Sequence, residues 1–562
     1  MSNTDVITAE VIRNATVTAA REMTTTLIRT AHNPLLYDVQ DFALGIVSSE
    51  GETWAEGSGM AVFAGALPFT IRSGLAAVGA ENFAEGDVLI ANDPYTTGNH
   101  ISDTSVYMPI FVDGELLAFA AVTAHWADIG GKTPGGWCPD SVEVYQEGIC
   151  FSHEKLVSAG VPNEALWSVI RNNVRFPDLV IGDTNAQIAS CRQGAERMQA
   201  VCSKYGIEAV RDSMRLALDR TEADARRQIA AIPDGVYRTS QMMDEDGVLK
   251  GVPFEIALQL TVDGDNIRVS FEGTSEVRPG PVNAPIDATR SSVRAAVKGV
   301  ISPTEPPNAG DSRAIEFDIP PGLVVSPERP SPVDSYGYVC ICVWELTMRA
   351  LAQAVPERCV AGAGTLCMPT IVRVNPREGR PFIAIDPVDL GNGARHDADG
   401  PTMAVNIMGD VPNSPVEVIE QRYPIRMETF ALRPESAGHG RFRGGSGVRR
   451  DYRLTEDGAL LQWSIENTRE TIAKGADGGG DGLPAEVRIT RDGEETLIDH
   501  RVTAYGPLSA GDLISIRSGG GGGWGDPRTR ETERVEADLR NQLIGPADAK
   551  EIYGFSDDRS AR

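Results

Sequence analysis

Cysteine is scarce. The chain has 8 in 562 residues, and the Cys-x-x-Cys spacing of zinc ribbons and dithiol redox pairs never occurs. Cys340 and Cys342 sit two apart in an apolar segment and read as buried residues rather than ligands. Basic residues are also in deficit, with 52 Lys and Arg against 79 Asp and Glu and a formal charge of −27. Nucleic acids and anionic membranes both require a cationic surface, so neither is expected as a partner. Long apolar runs are absent: the longest, such as Leu116–Ala124, fall well short of the ~18–20 residues that cross a bilayer. The N-terminus, Met1-Ser-Asn-Thr-Asp5, lacks the basic start and apolar stretch of a secretion signal. The expected compartment is the reducing cytoplasm.

What is present is an ordinary globular composition, 41% hydrophobic and 23% charged, in a chain long enough for about two to four domains. Apolar residues from Val6 to Ile28 recur at spacings near three and four, which predicts a helix over 5–31. Residues 36–125 alternate short apolar runs with turn signals and read as strands and hairpins. A second helical stretch is expected from about Asn185 to Ala231, ending at Pro233-Asp-Gly235. Strands are expected over 236–302, irregular chain from Pro303 to Pro332, a helix around Tyr338–Val355, and glycine-rich strands to about Arg517. Five glycines, Gly519–Gly523, precede Trp524-Gly-Asp-Pro527 and a charged helix near Arg530–Leu543. The pentaglycine reads as a tight backbone crossing. The expected fold class is multidomain α+β, β-rich with long helices. Its divisions are 1–235, an α+β domain, 236–527, a β-rich domain, and 528–562, a helical tail.

No nucleotide loop is present. Gly131-Lys132-Thr133 imitates the end of a P-loop, but Trp126 stands where its first glycine is required. The strongest constellation is Asn92-Asp-Pro-Tyr95 through His100-Ile-Ser-Asp103, followed by His125-Trp-Ala-Asp128. Asp113-Gly114 between two apolar runs is a hairpin signal. With that turn central, paired residue numbers sum to 227, His125 lies opposite Ser102, and His100 becomes its diagonal neighbour. Asp103 would then point to the other face unless a loop or bulge precedes Thr104. Two imidazoles with carboxylates suit Zn, Mn or Fe(II), which can lower the pKa of a water or polarise a carbonyl. Asp38 and Asp41, at the end of the first helical region, are candidates for a fourth ligand or for helix capping. His32, His153, His439 and His500 have no convergent partners in the sequence, and His396 sits in a polar glycine-rich loop.

These phrases resemble the hydantoinase B/oxoprolinase family, which includes the B subunit of ATP-dependent N-methylhydantoinase and the C-terminal half of 5-oxoprolinase. The resemblance extends through Tyr145-Gln-Glu-Gly148, Asn283-Ala-Pro285, Pro415-Val-Glu417, Arg443-Gly-Gly-Ser-Gly447 and Gly521-Gly-Gly-Trp-Gly-Asp-Pro527. It implies a hydantoinase B-like fold and a hetero-oligomer in which an actin-like, ATP-binding A-type subunit, holding ATP and Mg, phosphorylates the substrate's carbonyl oxygen. It also implies a metal on His100, Asp103, His125 and Asp38. Asp38-Val-Gln-Asp41-Phe-Ala departs here from the family's Glu-Arg-x-Asp-Phe-Ser. The expected activity is hydrolysis of a cyclic amide (hydantoin, lactam or oxoproline), with Asp128 or Asp41 as base. The alternatives are a ketone carboxylase subunit of the acetone or acetophenone type and a non-catalytic scaffold for an ATPase.

Overall fold

The structure is a computed structural model and describes residues 5–364, 367–375, 377, 379–405, 409, 412–463, 465, 468–469, 471–498 and 502–556. His500 lies outside the described residues. The fold is mixed α+β with several separate sheets. The chain forms two compact units, one of residues 1–238 and 258–344, the other of residues 239–257 and 345–562.

The first unit opens with α1 (Val6–Thr30), α2 (Pro34–Tyr37), β1 (Phe42–Ser48), β2 (Thr53–Glu56), α3 (Ala61–Val78), β3 (Val88–Ala91) and α4 (Pro94–Thr97). It continues with β4 (Asp103–Val112), β5 (Glu115–His125), β6 (Ser152–Ser158), β7 (Val161–Pro162), α5 (Glu164–Asn173), α6 (Pro177–Tyr205) and α7 (Ile207–Ile229). Asp5 caps α1 by accepting the amides of Ile7 and Thr8, which satisfies two donors the helix cannot use itself. The seven strands form one antiparallel sheet in the order β2-β1-β5-β4-β3-β6-β7.

That sheet is buried on both faces. Phe42, Leu44, Ile46, Val106, Met108, Ala120, Val122 and Ala124 pack with Met23 and Leu27 of α1 and Cys191 and Met198 of α6. Val47, Leu89, Tyr107, Phe119 and Ala121 pack with Leu67 and Ile71 of α3. Two-sided burial explains why the strands read as near-continuous apolar runs.

It also hid a helix. The structure places α3 within 36–125, where strands and hairpins are expected. It is apolar on most sides and lacks the polar stripe that marks a surface helix. It is the one described helix long and apolar enough to cross a bilayer, and half of it is buried, packed on this sheet. A second helix, Ile286–Ile301, replaces strands expected in 236–302. The expected helix from Asn185 begins earlier, at Pro177, and is broken at Gly206, whose φ is 85°.

The second unit has a four-stranded sheet, Phe382–Ile385, Thr370–Arg373, Ala459–Trp463 and Val502–Leu508 in spatial order. Its five-stranded sheet runs Ile425–Leu432, Val448–Leu454, Leu513–Arg517, Glu486–Arg491 and Glu494–Ile498. Tyr452, Leu461, Trp463, Ile514 and Ile516 lie in their common core. The pentaglycine is a backbone crossing. Gly521 donates to the carbonyl of Gly445 at 2.9 Å, Gly522 to Gly362 at 2.8 Å and Gly523 to Gly480 at 2.9 Å. Gly391 donates to Gly519 at 3.0 Å and Ala394 to Gly522 at 2.9 Å. A pleated strand has two neighbours, whereas this segment has more.

Candidate metal centre

The hairpin β4–β5 turns at Asp113-Gly114, whose φ values of 52° and 82° are the pair a type I′ turn needs. Near the turn the register is the expected one, with Val112 opposite Glu115 and Phe111 opposite Leu116. Between Phe111 and Ile110 it shifts by one, because Leu117 is an extra residue. From there Ile110 faces Ala118, Tyr107 faces Ala121 and Asp103 faces His125. The expected pairing of His125 with Ser102 is thereby corrected. A bulge in β5 beside the turn sets Asp103 opposite His125, and the expected loop before Thr104 is present as the turn at Ile101–Ser102, which frees His100 from the pleat. Directly opposed residues share a face, so Asp103 and His125 end up side by side.

His100 reaches the same place through a braced loop. Asp93 caps α4 at the Tyr95 amide, and Gly98 ends that turn in the left-handed region at φ 82°. The buried Asn92 amide donates to the carbonyls of Ile101 at 2.8 Å and Ile149 at 2.9 Å and accepts from Phe151 at 2.6 Å. These bonds use every strong group the side chain has.

The three side chains converge. Asp103 Oδ1 lies 3.0 Å from His100 Nε2 and 3.0 Å from His125 Nδ1, and the two imidazole nitrogens lie 3.2 Å apart. All three residues are buried. Two ligands at right angles, each ~2.1 Å from an ion, stand ~3.0 Å apart, so these atoms are spaced as the edges of a coordination shell. Hydrogen bonding alone fits less well, since two N–H groups donating to one oxygen would face each other at 3.2 Å. The second nitrogen of His125, Nε2, is buried without a partner. Burial works against a charged His100, yet the Asp103 carboxylate overcomes it and raises that imidazole to about 10. Asp103 is held down at about 2, again against burial, by the two histidines. The cage carries a negative field suited to a cation.

Around the trio lies a shell from distant segments. Tyr336 donates to Asp103 Oδ2 at 3.0 Å, leaving Oδ1 for the centre. The Trp137 ring stacks on His125 at 5.5 Å, and His100 lies 5.4 Å from Trp137 and 5.3 Å from Tyr336. Asp334 Oδ1 stands 3.9 Å from His100 Nδ1. Glu147, of the Tyr-Gln-Glu-Gly phrase, accepts from the amides of Val333 at 2.9 Å and Asp334 at 3.0 Å. Asn283 donates to the Pro332 carbonyl at 2.9 Å. Both pin the segment that carries Asp334 and Tyr336.

Asp41 and Asp38 separate clearly. His125 N donates to Asp41 O at 3.1 Å, one rung beyond the Phe42–Ala124 pair, so Asp41 stands opposite His125 on the side away from Asp103. Burial raises its carboxyl to about 6, and the charges of His125, Asp103 and His100 all act on it. Asp38 caps the end of α2; burial alone acts on its carboxyl, raising it, and none of the trio does. Asp128 is engaged elsewhere: it accepts from Arg175 N at 2.6 Å, Arg175 Nη1 at 3.0 Å and Gly135 N at 3.2 Å. It fastens the loop that ends in Trp137.

The sequence profile described as hydantoinase B/oxoprolinase matches residues 5–527. The chain belongs to this family. The B subunit of a putative D-/L-hydantoinase from a Pseudomonas species is 30% identical over 572 residues, covering 98% of this chain and 95% of the relative. The crystal structure of the ATP-dependent caprolactamase from Pseudomonas jessenii superimposes with a TM-score of 0.93 at 27% identity, covering 100% of this chain and 98% of that one. A nucleotide-free acetone carboxylase structure shares the fold, with a TM-score of 0.91 at 19% identity over 98% of this chain and 79% of that one. This hydantoinase B-type chain is thus related to subunits of ATP-dependent enzymes. Sequence reasoning reached His100, Asp103 and His125 because one hairpin joins them. It missed Trp137, whose loop Asp128 fastens, and Asp334 and Tyr336, whose segment Glu147 and Asn283 tie down; none of the three carries a local signal.

Proposed function

We propose that this chain is the B subunit of an ATP-dependent cyclic-amide hydrolase. In this reading it opens the ring of a substrate whose amide oxygen has been phosphorylated by an actin-like, ATP-binding partner that also holds Mg. The observation that carries the reading is the convergence of His100, Asp103 and His125. Asp41 rather than Asp38 is the carboxylate placed to join them, as a fourth ligand or as the base that takes a proton from water. Asp128 is a positioning residue, since its oxygens serve Arg175 and Gly135.

A Zn, Mn or Fe ion held there supplies Lewis acidity and a water of lowered pKa. The protein's part is to orient and to exclude. Tyr336 fixes the Asp103 carboxylate, and Trp137 covers His125. Phosphorylation makes the amide carbon electrophilic. The oxygen of water adds to it, Asp41 takes a water proton and passes it to the amide nitrogen, the proton of the new hydroxyl follows by the same route, and the carbon–nitrogen bond breaks to leave an amine and an acyl phosphate. A second water then releases phosphate and a carboxylate.

The test is ADP release by this chain purified with its ATP-binding partner, on cyclic amides and on ketones, with and without bicarbonate. ADP release coupled to ring opening and indifferent to bicarbonate is expected. Product from a ketone that requires bicarbonate would make the chain a carboxylase subunit instead. His125→Ala should lose its metal and at least ~100-fold in coupled hydrolysis while keeping its circular dichroism. Full activity in that variant would return the chain to a scaffold role.

A further inference from the structure

A cavity of about 410 Å³ opens between α3 and the helix Ile286–Ile301, and no residue of the trio lines it. Most of its charged walls are already neutralised. Arg313 pairs with Glu52 at 2.6 Å and Lys298 with Asp311 at 3.4 Å. Arg294 differs. Its Nε is buried with no partner, and among the described residues no carboxylate pairs with its guanidinium. The nearby Asp287 is taken by Arg290 at 2.8 Å. The Arg294 guanidinium lies over the Phe69 ring at 5.1 Å and the Phe317 ring at 5.6 Å, and Arg72 lies over Phe69 at 4.7 Å. Burial, and then the neighbouring Arg72, push Arg294 down to about 10. A half-buried guanidinium with a buried, unpartnered Nε beside a like charge is costly unless something compensates it. In a chain of net charge −27 there is no shortage of acids to do so, yet Asp287, whose charge acts on Arg294, is bonded to Arg290 instead.

We propose that this cavity binds a small organic carboxylate, received by Arg294 with Arg72 beside it and its hydrocarbon body against Pro68, Ala295 and Pro307. The planar guanidinium fork matches two carboxylate oxygens. Glu52, Glu56 and Asp311 in the same walls disfavour a dianion, and an inorganic ion would meet the guanidinium fork but gain nothing from Pro68, Ala295 and Pro307. The volume falls in the range of small-molecule sites.

Hexanoate is the probe, titrated calorimetrically into the full-length chain, with inorganic phosphate in parallel. Saturable 1:1 hexanoate binding is expected, weakened at least ~10-fold in Arg294→Gln and unchanged in His125→Ala. The proposal fails if the wild type does not bind hexanoate at millimolar concentration, or if folded Arg294→Gln binds it as the wild type does. Loss of binding in His125→Ala would move the site to the trio, and tighter binding of phosphate than of hexanoate would refute the carboxylate. Should Arg294→Gln not fold, Arg72→Gln carries the same expectation in direction, and undiminished binding there overturns the proposal.

Discussion

The metal hairpin and the glycine crossing are built on opposite principles. At the hairpin the backbone is a regular ladder and the information lies in side chains: one carboxylate, two imidazoles and the Tyr336 hydroxyl that orients them. At Gly519–Gly523 there are no side chains, and the information is the closeness of main chains. A Cβ on Gly521 would stand 1.9 Å from the carbonyl oxygen of Asn392, and one on Gly523 would stand 2.1 Å from that of His439. In the first region function rests on a few side-chain atoms, and in the second Gly520–Gly523 leave no room for an added atom. Similar specificity is thus reached by selecting chemistry in one place and by excluding it in the other.

The contrast is broken most severely by Gly521→Ala. Its methyl meets backbone, which cannot rotate away, so a loss of about 3 kcal/mol or more is expected, read as a lower urea midpoint of the full chain. Gly114→Ala is the control: nothing lies within 4 Å of its Cβ position, and only left-handed strain of about 1 kcal/mol is expected. Equal losses would remove the distinction. Tyr336→Phe tests the hairpin side. It deletes one donor to Asp103 and should weaken metal binding about 10- to 100-fold with the melting curve little changed, as measured by competition with a chromophoric chelator. Unchanged affinity would show that the aromatic packing, not the hydroxyl, sets the carboxylate.

A separate effect, confined to acid pH, concerns His153, buried in the same unit between the hydroxyls of Ser73 and Tyr107. Burial lowers it from 6.5 to about 4. Between those values the unfolded chain binds the proton and the folded chain does not, so stability is intact above pH 6.5 and declines as pH falls toward 4. The loss amounts to roughly 3 kcal/mol, and His153→Gln should flatten the stability–pH curve in that window. An unaltered slope would assign the acid sensitivity to other groups.

Legibility in the sequence followed locality. The first helix and the Asp113-Gly114 turn were readable because period and turn chemistry are local. The trio was readable because a single turn joins its members. The bulge at Leu117 was not, since an extra residue in a run of apolar residues leaves no mark in the pattern. Helix α3 was missed for a related reason: burial on most sides erases the amphipathic period. The resemblance gave Asp38 the ligand role and Asp41 that of a base, whereas what favours Asp41 beside the trio is a rung shared with His125, a relation that local sequence does not carry. Asp334 and Tyr336 lie more than two hundred residues from the atoms they serve, and Trp137 returns to His125 through an irregular loop.

The extra residue at Leu117 makes hairpin length a matter of phase. Removing Leu117 would cancel the bulge and leave Asp103 opposite His125, because the extra residue lies between the turn and the ligands. Removing a second residue from β5 on that side would bring Thr104 opposite His125 and turn the Asp103 carboxylate to the other face. The bulge is thus one residue of slack: the hairpin can lose that residue without parting its ligands, and no more.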